Sequence, residues 1–274
     1  ALSLARQIAA AGVPYAMIVG GEPTLVPHFL DVCRTLSDGG VLLKIETNAQ
    51  NFDPLPLVNF GIRSIQISLD GASSATYAKQ RINGSLDKAV AACRATVAAG
   101  LALEITFAPS RLNIHEAEAV IDLAVSLGAF RFNTGQLMRL GTAAKLWDRL
   151  EPSASQYASF RSLLESKERE LTGKIELCYK PFSIGEEMAS RAISPSGTLL
   201  ILPDGRVKVA APLRWICADL KTDSLLQAWR LYQSAWSDPR VRSSLESLAA
   251  DPACAAQANE WAALEPAHDL SAMV

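Results

Sequence analysis

The sequence predicts an α/β fold: a parallel sheet covered by helices, a barrel or part of one, with a small α+β C-terminal appendage. Three observations predict it. Apolar runs of strand length alternate with helical stretches from residue 2 to about residue 134. Each run ends in a polar or glycine-rich turn. After about residue 142 the alternation stops, and Pro203-Asp204-Gly205 between two short β-type runs marks a hairpin.

The elements follow in order. Residues 2–11 read as a helix leading into a strand over 13–19. Residues 26–38 carry Phe29, Leu30, Val32, Cys33 and Leu36 at helical spacing, and Gly39-Gly40 ends that run. A strand over 41–46 is followed by a short helical piece over 55–60 and by a strand over 62–69. Residues 73–80 read as a loop or short helix. Ser85 can cap a helix over 85–99 that turns Leu86, Ala89, Val90, Cys93 and Val97 inward. Then come a strand over 101–107, a helix from Asn113 through Leu127, and a strand over 130–134. A charged helix spans 153–171, and 175–179 reads as a last strand. The appendage holds the hairpin, 198–202 and 206–209, and a helix over 223–235. The Ala-rich tail after Asp251 reads as helical at first.

The 274 residues, 49% hydrophobic and 20% charged, suffice for one large core. A net charge of -2 without a basic block argues against a nucleic-acid surface and gives no reason for membrane attraction. No apolar run is long enough to span a bilayer. Residues 1–6 lack a start Met and a signal pattern and read as the middle of a helix, so residues upstream of Ala1 are expected. Cys33, Cys93, Cys178, Cys217 and Cys254 are dispersed without a CxxC pair, which points to the reducing cytoplasm rather than a disulfide framework. His28, His115 and His268 are far apart, so no metal-ligand cluster is read from them.

The stretch from Ile18 to Leu25 organises the rest. Gly20 and Gly21 let a ligand approach the backbone, Glu22 is an acceptor held at a strand end, and Pro23 fixes the exit. Four polar groups then fall at successive strand ends: Glu22, Thr47-Asn48, Ser68 with Asp70, and Asn113. In a parallel layer these ends share one rim, where such enzymes place their sites. Turn and cap chemistry is the competing reading, a capped turn for Ser68 and Asp70 and a helix cap for Asn113.

With these residues in place, the sequence resembles the radical S-adenosylmethionine superfamily. Gly20-Gly21-Glu22-Pro23, Thr47-Asn48 and Ile67-Ser68-Leu69-Asp70-Gly71 match that superfamily's elements after its second, third and fourth strands, in order, across residues 8–142. The resemblance implies a partial (β/α)6 TIM-like barrel. It implies that Glu22 and its neighbours receive the methionyl ammonium of S-adenosylmethionine, with Ser68 and Asp70 near ribose or carboxylate. Arg81 matches the basic residue against the cofactor carboxylate, and Leu137-Met138 would lie against adenine. A solvated arginine and ordinary core packing are the alternatives.

The family holds a [4Fe–4S] cluster through CxxxCxxC after its first strand, and no such triplet stands here. The expectation is that this segment lies upstream of Ala1, and that the polypeptide as given does not cleave the cofactor. Around the hairpin, Ser194-Pro195-Ser196-Gly197, Asp219-Leu220 and residues 224–229 resemble the auxiliary-cluster (SPASM or twitch) extension. Where relatives place cysteines, this chain has Ser194 and Ala210-Ala211, so no auxiliary cluster is expected. The domains expected are a core over 1–142 and, over 143–274, the end of the barrel plus that extension. The implied activity is reductive cleavage of S-adenosylmethionine to a 5′-deoxyadenosyl radical that modifies a ribosomally made peptide or cofactor precursor. The implied partners are that peptide or small-molecule substrate and an electron donor such as flavodoxin or ferredoxin. The competing readings are a cluster-free binding or accessory protein and an unrelated barrel enzyme such as an aldolase or a phosphate-binding isomerase. Against the latter stand the lack of a strand-end lysine in an apolar setting, Lys44 lying within a strand, and the lack of a Gly-rich loop before a helix.

Overall fold

The computed structural model describes residues 1–264. The chain is α/β, as expected, and divides into two compact units: residues 1–137 with 148–180, and residues 138–147 with 181–264 of the described chain.

In the first unit, helix α1 (Leu2–Ala10) precedes strand β1 (Tyr15–Ile18), helix α2 (Phe29–Asp38) and strand β2 (Leu42–Thr47). Strand β3 (Ile62–Ser68) is followed by α3 (Ser74–Gln80) and α4 (Leu86–Ala98), then by β4 (Leu103–Thr106), α5 (Ala117–Ser126) and β5 (Arg131–Asn133). After the short helices α6 (Gly141–Lys145), which belongs to the second unit, and α7 (Trp147–Leu150), the first unit continues with α8 (Ala154–Glu170) and β6 (Glu176–Cys178). The six strands form one parallel sheet in sequential order, the barrel-type arrangement of βα units rather than the doubly wound one.

Strand alternation gives this sheet two unlike faces. Ile45, Ile65 and Leu103 share one register row, and Thr47, Ile67, Ile105, Phe132 and Leu177 share another. This apolar face is closed by helices; Phe160 of α8 meets Phe107 edge-on with ring centroids 6.0 Å apart. The intervening positions are polar: Glu46, Gln66, Glu104, Arg131 and Glu176 in one row, and Ser68, Thr106, Asn133 and Cys178 in the next. A parallel sheet covered on both sides carries apolar residues on both. This one carries charge on one face.

The second unit packs α9 (Ile184–Ile193), α10 (Leu225–Ala235) and α11 (Pro239–Ala250) around a small sheet. Its strands β7 (Leu200–Ile201), β8 (Arg206–Lys208), β9 (Trp215–Asp219) and β10 (Ala262–Ala263) lie in the order β10-β9-β8-β7. Strands β7 and β8 form the expected antiparallel hairpin. Ser224 starts α10 with a capping box shared with Gln227.

Several expectations are corrected. The helix expected from residue 26 starts at Phe29: Val26 precedes Pro27 and is extended at ψ 124°, after a 3-10 turn over Pro23–Leu25. Val97, expected inside, is 41% exposed, and α4 buries Ala92 and Thr96 instead. Thr96 can be buried because its hydroxyl donates to the Ala92 carbonyl. The helix expected from Asn113 to Leu127 begins as a 3-10 turn, Ile114–Glu116. The tail forms a 3-10 run, Pro252–Asn259, rather than an α-helix. Strands β9 and β10 and helices α9 and α11 were not read from the sequence at all. His268 lies outside the described residues.

Candidate functional site

Gly20 has φ +145°, a region L side chains rarely adopt, and a Cβ on Gly20 or Gly21 would meet no atom within 4 Å. Space is therefore open over both glycines. Glu22 follows, and its carboxylate is a junction. Its Oε1 accepts from the Thr24 hydroxyl (2.6 Å), the Thr24 N–H (3.3 Å) and the Thr47 hydroxyl (2.8 Å). Its Oε2 accepts from the Asn48 N–H at 2.7 Å. Pro23 is buried and opens the 3-10 turn that returns Thr24 to Glu22. The Gly-Gly-Glu-Pro and Thr-Asn segments are thus one hydrogen-bonded unit at the ends of β1 and β2.

The ends of β3 and β4 form a second unit. Asp70 is buried; its Oδ2 accepts from Arg81 Nε (2.6 Å) and its Oδ1 from the Ala108 N–H (2.8 Å). Asn113 does not cap its helix through its side chain. It is fully buried, its Oδ1 accepting from the Ser110 N–H (2.6 Å) and its Nδ2 donating to the carbonyls of Asp70 (3.0 Å) and Ala108 (3.1 Å). Asn113 therefore holds Asp70 in place from beneath. Gly71 has no room for a side chain, since a Cβ would lie 2.7 Å from the Tyr77 backbone nitrogen. Glu116 fastens the next turn, accepting from the N–H groups of Ala72 and Ser73 and the hydroxyls of Ser73 and Thr76. Burial alone would raise its carboxyl, but these donors hold it at about 2.

A cleft of about 430 Å³ opens between these two hydrogen-bonded clusters, within the first compact unit, lined by Asn48, Gln50, Asp70, Gln80 and Arg81 among others. Three expected residues, Asn48, Asp70 and Arg81, thus share one cavity. Glu22 and Thr47 join it through Asn48. Ser68 lies one row below, half-buried, its hydroxyl without a partner among the described residues. Leu137 closes the first unit, its N–H donating to the Tyr157 hydroxyl at 3.1 Å; Met138 belongs to the second unit. Gln50 and Gln80 were missed. Gln50 accepts from the Ser85 N–H (2.7 Å) and donates to the Asn48 carbonyl (3.1 Å), and Gln80 accepts from Ser110 Oγ (2.7 Å). Both are polar residues two or fewer positions from a recognised site residue, which was the available signal.

Sequence reasoning also missed the polar sheet face below the cleft. Lys44 Nζ lies 2.7 Å from Glu104 Oε2, and Glu104 also accepts from Ser64 (2.6 Å) and Asn133 (2.9 Å). Burial would raise the Glu104 carboxyl; the hydrogen bonds from Lys44, Ser64 and Asn133 outweigh it and hold it low. Arg131 pairs with Glu176 at 2.7 Å. The signal was the polar residue at every second position of strands that a covered parallel sheet would fill with apolar ones.

The site suits a small zwitterion with a sugar. Arg81 spends only Nε on Asp70, so its terminal nitrogens remain for a carboxylate. Glu22 Oε2 takes a single donor and can accept an ammonium, and the Ser68 hydroxyl is unused. S-adenosylmethionine has these groups. An iron–sulfur cluster does not suit the cysteines present: Cys33, Cys93 and Cys217 are buried free thiols, and Cys178 and Cys254 fall in different units. Among the described residues no group of three or more His, Cys, Asp or Glu is placed to hold a metal.

No protein-family model matches the chain. Among curated proteins, the mycofactocin maturase MftC of Mycobacterium tuberculosis is 30% identical over 195 residues, 69% of this chain and 50% of that protein. The PqqA peptide cyclase of Streptomyces rochei is 28% identical over 217 residues, 74% of this chain and 58% of that protein. The crystal structure of Streptococcus suis SuiB bound to its precursor peptide SuiA superposes with TM-score 0.68 at 13% identity, covering 90% of this chain and 59% of that one. The same protein bound to S-adenosylmethionine gives TM-score 0.66 at 15% identity over the same share of each. The fold class is therefore that of the partial-barrel radical S-adenosylmethionine proteins. The chain belongs to the radical S-adenosylmethionine superfamily, with a maturase and a peptide cyclase among its homologues. It spans about half the length of the curated relatives it matches.

Proposed function

We propose that the protein is a radical S-adenosylmethionine enzyme that modifies a ribosomally made peptide. The observation carrying this reading is the fusion of Glu22, Thr47 and Asn48 into one acceptor unit beside the Asp70–Arg81 cleft. Gly20, Gly21, Glu22 and Pro23 would receive the methionyl ammonium, and Arg81, oriented by Asp70, its carboxylate. Ser68 would meet the ribose. Asn113 acts by holding Asp70, and Leu137 and Met138 are assigned to the adenine by resemblance alone. When bound, S-adenosylmethionine with a reduced [4Fe–4S] cluster supplies a 5′-deoxyadenosyl radical. The ligands of that cluster are assigned to cysteines other than the five here. The second unit is assigned to peptide recognition without an auxiliary cluster, flavodoxin or ferredoxin to electron delivery, and the whole protein to the cytoplasm. Among the described residues no helix is long and apolar enough to cross a membrane, and neither membrane nor nucleic acid enters this reading as a partner.

The test uses the intact protein from its complete reading frame, reconstituted anaerobically with iron and sulfide. About four irons per chain, with 5′-deoxyadenosine released on adding reductant and S-adenosylmethionine, is the expected result. About eight irons would remove the single-cluster assignment. No iron and no deoxyadenosine would turn the weight to a cluster-free binding protein, the reading that the Ser194 and Ala210-Ala211 replacements favour.

A further inference from the structure

We propose that Glu46 is the residue with which the polar sheet face receives a positively charged group of a ligand, an ammonium or a sulfonium. The proposal rests on the functional reading above only in placing a ligand beside this face.

The charges on the face leave Glu46 over. Lys44 lies 2.7 Å from Glu104, and Arg131 lies 2.7 Å from Glu176 and 3.8 Å from Glu104, so these two cations are taken by two carboxylates. Glu46 takes part in no ion pair among the described residues. Its Oε1 accepts from Gln66 Nε2 at 2.7 Å, and Gln66 accepts in turn from Asn133 at 3.1 Å. Its Oε2 has no partner among the described residues. The side chain is half-buried, and Lys44, which pulls on it, is already hydrogen-bonded to Glu104. Burial pushes its carboxyl up, and Glu104 adds to this, against the opposing pull of Lys44 and Gln66. Tyr15, on the neighbouring edge strand, is pushed up by burial and then by Glu104, against the guanidinium of Arg63, which lies 5.6 Å from its ring centroid.

The carboxylate lies on the strand that leads to the cleft. Asn48, two residues further along, lines the cleft, which places Glu46 about 7 Å below it along the strand. An uncompensated carboxylate in such a place costs stability that an arriving cation returns. The neutral Ser68, Thr106 and Asn133 row beside it offers no competing charge. The sulfonium or ammonium of S-adenosylmethionine and an amine of the substrate present the same chemistry.

Binding to the intact protein and to its Glu46→Gln variant tells these sources apart. Glutamine keeps the size of the side chain and the bond from Gln66. The probes for isothermal titration are S-adenosylmethionine, S-adenosylhomocysteine, Nα-acetyl-lysine amide and the uncharged Nα-acetyl-norleucine amide. We expect at least one cationic probe to bind the variant about tenfold more weakly, with the norleucine probe unchanged. Loss confined to S-adenosylmethionine identifies the sulfonium. Loss shared with S-adenosylhomocysteine identifies the methionyl ammonium and takes it from the Glu22 segment assigned above, and loss confined to the lysine probe identifies the substrate. The variant should also melt no lower than the parent at pH 7. Equal affinities for every cationic probe, or a clearly lower melting point, overturns the proposal. If the parent does not bind S-adenosylmethionine, the functional reading fails, while the lysine pair still decides for or against Glu46.

Discussion

The parallel sheet and the C-terminal hairpin each bury a lysine, in opposite ways. Lys44 lies 2.7 Å from the buried Glu104 carboxylate, inside a network that continues to Ser64 and Asn133. Lys208 of β8 is 6% exposed and has no carboxylate partner among the described residues; it donates to the backbone carbonyls of Ala211 and Ala258, each at 2.9 Å, and its ammonium lies 6.0 Å from the centroid of the Trp261 ring. Burial lowers its ammonium to about 8. The difference separates two uses of a buried charge. On the sheet face Lys44 and Arg131 are shared among Glu104 and Glu176, and the half-buried Glu46 is left without an ion pair among the described residues. In the hairpin the lysine is a clamp that ties the turn after β8 to the 3-10 run over Pro252–Asn259. That clamp stands where the family resemblance would put a cluster ligand, beside Ala210-Ala211.

The contrast can be broken first at the ion pair. Glu104→Gln leaves the Lys44 ammonium buried without its counter-charge and should cost about 3–5 kcal/mol in urea unfolding. Lys208→Met removes no counter-charge and should cost about 1 kcal/mol or less, the lost carbonyl hydrogen bonds offset by relief of burial. Equal losses would erase the distinction.

A smaller effect sharpens the assignment of function to the first unit. Arg81→Ala should weaken S-adenosylmethionine binding by about tenfold or more, the worth of a charged hydrogen bond. Lys208→Met should leave the affinity unchanged; a comparable loss in both would contradict the clamp assignment.

Two pH effects are smaller still and opposite in sign. Lys208 titrates near 8 when folded and near 10.5 when free, so between these values the unfolded chain binds the extra proton. Stability should therefore rise as pH rises from about 8 to 10.5, and Lys208→Met should flatten that rise in melting curves. Glu116 titrates near 2 when folded and 4.5 when free, so its contribution is present above 4.5 and lost as pH falls toward 2. Glu116→Gln should reduce that acid-side slope, by a small amount because the group is near solvent.

Much of this was legible in the sequence because its causes are local. The order of βα units, the Ser85 and Ser224 caps and the Asp-Gly hairpin depend on neighbours within a few residues. Asn113 looked like a cap for the same reason, yet its side chain is spent on Asp70 and Ala108. Strands β9 and β10 went unread because Ala262 pairs with Trp215, and no pattern near Ala262-Ala263 announces a strand. Glu46 and Glu104 passed as ordinary strand residues.

The sequence by itself determined the alternation of strands and helices, the rim of polar groups at the strand ends and the family these motifs resemble. Those features follow from periodicity, turn chemistry and residue order. Only the tertiary structure decided which carboxylate has a cation. Lys44 could have paired with Glu46, two residues away, but a partner sixty positions on took it. Register between β2, β3 and β4 brings Lys44, Ser64 and Glu104 together, and that register is set by burial of the opposite, apolar face rather than by the charges themselves.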